Sequence, residues 1–87
     1  MLKIVKINAM WCSACISMYK IWGEVIKRYP NINIIELDFD MDEDEVEKYD
    51  VKDILPVVIF YKDDKEVARL EGEKKLDDII NIIEENK

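Results

Sequence analysis

Ala9-Met10-Trp11-Cys12-Ser13-Ala14-Cys15 (residues 9–15) holds both cysteines of the chain, three positions apart, in a sequence without histidine. The stretch sits where the hydrophobic period changes. Upstream, Lys3 to Ala9 (KIVKINA) alternates weakly and is rich in Ile and Val, as a buried strand is. Downstream, apolar residues fall at Met18, Ile21, Trp22, Val25, Ile26 and Tyr29. That is the i, i+3, i+4, i+7, i+8 stripe of one helix face, and Pro30 with Asn31 ends it. The cysteines therefore stand at a strand-to-helix turn.

Working outward, Ile32 to Phe39 (INIIELDF) reads as a second strand whose apolar content suits a sheet covered on both faces. Strand, helix and strand make a βαβ unit with parallel strands. A short acidic helix is expected around Glu43 to Tyr49. Pro56 to Lys62 and Glu66 to Glu71 flank the polar Lys62-Asp63-Asp64-Lys65 and form an antiparallel hairpin. Gly72 breaks the second of these strands, and Leu76, Ile79, Ile80 and Ile83 mark one face of a closing helix. The expected order is β-α-β-α-β-β-α, an α/β architecture with a mixed four-stranded sheet sandwiched by helices, in one domain spanning residues 1–87.

Bulk properties narrow the function classes. At 87 residues the chain buries roughly 60 to 65% of its unfolded surface, so one continuous core is expected. Hydrophobic residues are 49% and charged residues 38%, the mix of a globular domain. No apolar run approaches the roughly 18 residues of a membrane span, and MLKIVKINAM (residues 1–10) lacks signal-peptide features. A cytoplasmic location is therefore expected. A net charge of -7 argues against nucleic acid or anionic membrane as partner, since both are held by clustered Lys and Arg. The acid-rich Asp38 to Glu47 lacks the glycine and ligand spacing of a calcium loop, and reads as a solvated loop and helix start.

On a helix, residues three apart share a face, so Cys12 and Cys15 can bring their sulfurs together in the first turn. Unpaired N–H groups and the positive end of the helix dipole favour a thiolate at the first of them. Cys12 is then the attacking thiol and Cys15 the resolving one. Two other readings stand beside this one. The pair could be ordinary buried thiols, or, because Met10-Trp11-Cys12-Ser13-Ala14-Cys15 is literally M-x-C-x-x-C, a soft-metal module resembling the Cu(I) loop of copper chaperones. A zinc or iron–sulfur site would need four ligands, which a monomer of this sequence cannot supply. Copper chaperones resemble a βαββαβ unit, whereas this chain ends in a helix.

The residues taken together resemble the thioredoxin family over nearly the whole chain. Trp11-Cys12-Ser13-Ala14-Cys15 stands where that family has WCxxC, and Glu36-Leu37-Asp38-Phe39-Asp40 resembles the end of its second conserved strand. Tyr49-Asp50-Val51 with Ile54-Leu55-Pro56 resembles the segment leading to its cis-proline, and Phe60 to Gly72 its terminal hairpin and glycine. The resemblance implies a thioredoxin-like fold and a cis Leu55–Pro56 bond packed against the active-site disulfide, with the Leu55 backbone free to pair with an extended substrate. It places Trp11 in the substrate surface beside Leu55 and Pro56.

Several departures from the family bear on mechanism. The family's N-terminal strand and helix have no counterpart, leaving a minimal fold of glutaredoxin-like size. Glutaredoxins resemble C-P-Y-C with Thr-Val-Pro and Gly-Gly; here the places read Cys-Ser-Ala-Cys, Ile-Leu-Pro and Glu-Gly, so glutathione-dependent reduction is the alternative within the class. The Tyr49 to Pro56 segment is one residue longer than is typical. Lys20 replaces a kinking proline, and a straighter helix is expected. Thioredoxins commonly bury an Asp near a Lys beneath the resolving cysteine; here those places hold Lys6 and Glu36. The pair is expected to form a partly buried ion pair below Cys15, with Glu36 or a bound water taking the proton, unless both side chains extend to solvent. Ser13 and Ala14 bring no charge to the thiols, which favours a reductant over an oxidase.

The sequence thus leads to a thiol–disulfide oxidoreductase, a monomer without cofactor or metal. Its expected partners are protein disulfides and a thioredoxin reductase or similar electron donor.

Overall fold

The computed structural model describes residues 2–87. Strand β1 (Leu2–Asn8) leads through α1 (Ser13–Ser17) and α2 (Tyr19–Arg28) to β2 (Asn33–Asp38). After α3 (Glu43–Glu47) come β3 (Val57–Lys62), β4 (Lys65–Glu71) and α4 (Leu76–Asn86). The sheet order is β2-β1-β3-β4, with β1 parallel to β2 and antiparallel to β3, and β3 antiparallel to β4. This is the mixed four-stranded sheet read from the sequence.

Alternation along the two central strands sends side chains to two cores. Leu2 and Ile4 of β1 with Val58 and Phe60 of β3 pack against Met18, Trp22, Val25, Ile79 and Ile83 of the α2 and α4 layer. Val5, Ile7, Val57 and Ile59 face the other way, toward Val46 of α3. By the same period Lys6 falls on the α2 side, between the apolar floor and the cysteine turn.

Strand β2 lies at a sheet edge, where Ile34 packs on one core and Ile35 and Leu37 on the other, so its apolar run is covered on both faces although none of its residues is fully buried. Ile26, placed on the apolar helix stripe, is 51% exposed, because Trp22 and Val25 already fill the contact with the sheet.

The helix that follows the cysteines is interrupted at Met18, which divides it into α1 and α2. The Ser17 hydroxyl donates to the Ser13 carbonyl at 3.0 Å. Such back-bonding competes with the helical ladder and bends helices without a proline.

Two turns show why the hairpin forms. Asp63 and Asp64 both take positive φ, 52° and 69°, as a two-residue primed turn demands. Gly72, with φ 85°, ends β4 and donates its N–H to the Pro56 carbonyl at 2.9 Å, tying the hairpin to the start of β3. A Cβ on Gly72 would lie 3.4 Å from Ile54 Cγ2. Gly72→Ala should therefore cost about 1 to 2 kcal/mol, from left-handed backbone strain more than from contact. A urea midpoint equal to that of the parent chain would contradict this assignment.

Candidate active site

Because β1 and β2 are parallel, their C-terminal ends meet at one edge, and the loops leaving them build the site. Cys12 is the N-cap of α1, in extended conformation, and its Sγ accepts the Cys15 backbone N–H at 3.2 Å. A thiolate at Cys12 would keep that bond in charge-assisted form. Ile16 N–H closes on the Cys12 carbonyl and Cys12 N–H on the Ala9 carbonyl, each at 3.2 Å, so the cysteine turn is held on both sides. The two thiols are free in the structure, with Cys12 7% and Cys15 9% exposed. They form a shallow cluster with Ala9, covered by Ala14, Phe39 and Leu55. Burial, followed by a hydrogen bond with Cys12, pushes the Cys15 thiol up to about 11. The two sulfurs are thus unequal in place: Cys12 caps a helix, and burial raises Cys15.

Trp11 stands 64% exposed above this cluster. Its Nε1 donates to Asp40 Oδ2 at 2.7 Å, and its ring meets Phe39 edge-on at 6.2 Å. Asp40 comes from the acidic stretch read as solvated loop; one of those acids therefore orients the tryptophan next to Cys12. The available signal was topological, since the loop after β2 must emerge beside the loop after β1. Asp38 organises the same loop by accepting the N–H groups of Asp40 and Met41, each at 2.9 Å.

On the other side, the Leu55–Pro56 peptide bond is cis. Leu55 is half-buried against the cysteine cluster, and Pro56 is fully buried. Met10, 86% exposed, and Ile54, 52% exposed, extend the apolar surface along the two loops.

Beneath Cys15 lies a cavity of about 360 Å³ whose lining includes Lys6, Asn8, Cys15, Trp22 and Glu36. Lys6 and Glu36 are register partners across β1 and β2, with Lys6 Nζ 3.5 Å from Glu36 Oε1. The partners differ sharply in environment: 8% of the Lys6 side chain is exposed against 64% of Glu36. Asn8, one repeat along the same face of β1, donates to Glu36 Oε1 at 3.0 Å. The Lys6 ammonium also sits 4.6 Å from the Trp22 ring centroid, a cation–π contact. Desolvation lowers the Lys6 pKa from 10.5, opposed first by Glu36 and then by Cys15. Sequence reasoning missed Asn8 and Trp22 as neighbours of this pair, although the period-2 step from Lys6 to Asn8 pointed to the first.

No cluster of three or more metal-ligating side chains occurs among the described residues, and the chain closes on a helix rather than in a βαββαβ unit. The α/β sheet with a two-cysteine helix cap beside a cis-proline is that of a thiol–disulfide oxidoreductase. The Thioredoxin family model matches residues 1–85, and the chain belongs to the thioredoxin family. It is 30% identical over 86 residues to the thioredoxin of Chlamydia trachomatis serovar D, covering 99% of this chain and 83% of that one. A thioredoxin H-type of Picea mariana is 34% identical over 73 residues, 84% of this chain and 58% of the relative. Among solved structures, Fasciola hepatica thioredoxin superposes with a TM-score of 0.88 at 29% identity, covering 99% of this chain and 81% of that one. For thioredoxin-2 of the malaria parasite the score is 0.90 at 27% identity, covering 98% and 82%. The described helices include none long and apolar enough to cross a membrane.

Proposed function

We propose that this thioredoxin-family oxidoreductase works as one domain over residues 1–87 and reduces disulfides of other proteins. Cys12 attacks to give a mixed disulfide and Cys15 displaces the reduced substrate; a thioredoxin reductase or similar donor then restores the dithiol. Substrate docks on Trp11, Leu55 and Pro56, with the Leu55 backbone pairing to an extended segment. Lys6 and Glu36 support Cys15 from the cavity beneath. The enzyme acts as a monomer in the cytoplasm, without metal or cofactor.

The observation that carries this reading is the asymmetry of the thiols, with Cys12 Sγ accepting the Cys15 N–H at 3.2 Å at the helix cap. Family membership implies protein disulfides and a reductase in general terms. Thioredoxin-like rather than glutathione-dependent reduction is favoured by the matched family and by Ile54-Leu55-Pro56 and Glu71-Gly72 where glutaredoxins resemble Thr-Val-Pro and Gly-Gly.

A redox titration in defined thiol buffers, with alkylation trapping and mass spectrometry, tests the reading. Ser13 and Ala14 add no charge to stabilise a thiolate, so a midpoint near about -270 mV is expected. A midpoint above about -180 mV would assign an oxidant or isomerase instead. Failure to form any reversible Cys12–Cys15 disulfide would overturn the redox reading altogether and return attention to Cu(I) binding.

A further inference from the structure

The cavity beneath Cys15 presents a buried cation where a resolving thiol must lose a proton. We infer that Lys6 is the positioning residue of the resolving step, its ammonium held under Cys15 by Glu36 and the Trp22 ring so that it stabilises the Cys15 thiolate. This rests on the reading that Cys12 attacks and Cys15 resolves.

The geometry divides the roles within the ion pair. Lys6 is sequestered, with 8% of its side chain exposed, and lines the cavity together with Cys15. Glu36 is largely solvent-exposed, and its Oε1 is already engaged by Lys6 at 3.5 Å and Asn8 at 3.0 Å. Water screens the exposed carboxylate far more than the buried ammonium. The buried ammonium is therefore the less screened of the two charges beside Cys15, and Glu36 is a tether. Titratable groups facing the cavity are Lys6 from β1, Cys15 from α1, Tyr19 from α2, and Glu36 and Asp38 from β2. Lys6 is the cation among them. The electrostatics register the contact on the lysine side, where Cys15 opposes the desolvation of Lys6.

In the step itself, the Cys15 thiol gives its proton to water in the open cavity. The thiolate attacks Cys12 Sγ in the mixed disulfide, forming the Cys12–Cys15 bond and breaking the bond to the substrate sulfur. The electron pair leaves on the substrate thiolate, which is protonated from solvent. The two cysteines are oxidised by two electrons and the substrate disulfide is reduced by two. Lys6 keeps its proton throughout.

A single-turnover reaction with 4,4′-dithiodipyridine separates the steps, because Cys12 attack releases one thiopyridine and Cys15 attack on the mixed disulfide releases the second. In Lys6→Met the second phase should slow about tenfold at neutral pH, with its pH midpoint displaced upward by about one unit or more, and recover at alkaline pH. The first phase should keep its rate. Lys6→Arg, which retains the charge, should restore the parental profile, and Glu36→Gln, which keeps a hydrogen-bonding side chain beside the ammonium but removes the carboxylate, should slow the second phase less than Lys6→Met does. If Lys6→Met does not fold, Lys6→Gln carries the same expectation. An unchanged second phase in the neutral Lys6 variants would overturn the inference, as would a Glu36→Gln variant slowed as much as Lys6→Met, which would make the carboxylate the proton acceptor. A parent chain with no second phase at all would defeat the underlying Cys12/Cys15 reading instead.

Discussion

Cys12→Ser will lose disulfide-reductase turnover by roughly three or more orders of magnitude, because the hydroxyl has no comparable anion at neutral pH to open a disulfide. Cys15→Ser will fail differently. Its Cys12 keeps the cap position, attacks once and stops, so the mixed disulfide with a protein substrate accumulates as a covalent adduct. Mass spectrometry after incubation with a disulfide-bonded protein distinguishes the two: no adduct with Cys12→Ser, one adduct per chain with Cys15→Ser. The basis is the inequality in the structure. Cys12 is the cap acceptor, whereas burial and its bond with Cys12 hold Cys15 protonated up to about 11. Adduct formation through Cys15 in the Cys12→Ser variant would reverse the roles.

Phe60→Ala should be the most damaging single truncation of the core, at about 3 to 5 kcal/mol. Phe60 is on central strand β3, has no solvent exposure, and belongs to the cluster that joins the sheet to α2 and α4. Neighbours drawn from both the sheet and the helix layer cannot all collapse into the space it leaves. At roughly 0.05 to 0.15 kcal/mol per residue the whole domain has only about 4 to 13 kcal/mol of stability. The variant is thus expected to lose from about a quarter to all of the domain's stability. Urea titration followed by the fluorescence of buried Trp22 measures it, and a loss under 1 kcal/mol would show that the two layers repack without this ring.

The layers and the site's two thiols were legible because each rests on short-range patterning. Weak alternation gave β1, the polar break from Lys62 to Lys65 gave the β3–β4 hairpin, the helix stripe gave the face containing Met18, Trp22 and Val25, and the spacing of Cys12 and Cys15 located the helix start. The proline geometry at Leu55–Pro56 was legible only through resemblance, since an X-Pro bond in isolation favours trans. What escaped depended on neighbours distant in sequence. The edge position of β2 follows from sheet order, which apolar content does not encode. The break at Met18 lies beside the Ser17 hydroxyl, which bonds a carbonyl one turn back. The partnership of Trp11 with Asp40 spans 29 positions and needed the parallel pairing of β1 and β2 before it could be foreseen. The unequal exposure of Lys6 and Glu36 likewise appears only once β1 is internal and β2 peripheral.

The sheet order has a colloidal consequence. β2 and β4 leave two open edges on which another chain could hydrogen-bond, and open edges invite aggregation. Here those borders carry ionic side chains, Glu36 and Asp38 on one and Lys65, Glu66, Arg69 and Glu71 on the other. With a pI near 4.5, the repulsion among molecules fades as pH approaches that value. Mild acidification therefore removes a kinetic barrier to edge-to-edge stacking, and light scattering should rise near the pI.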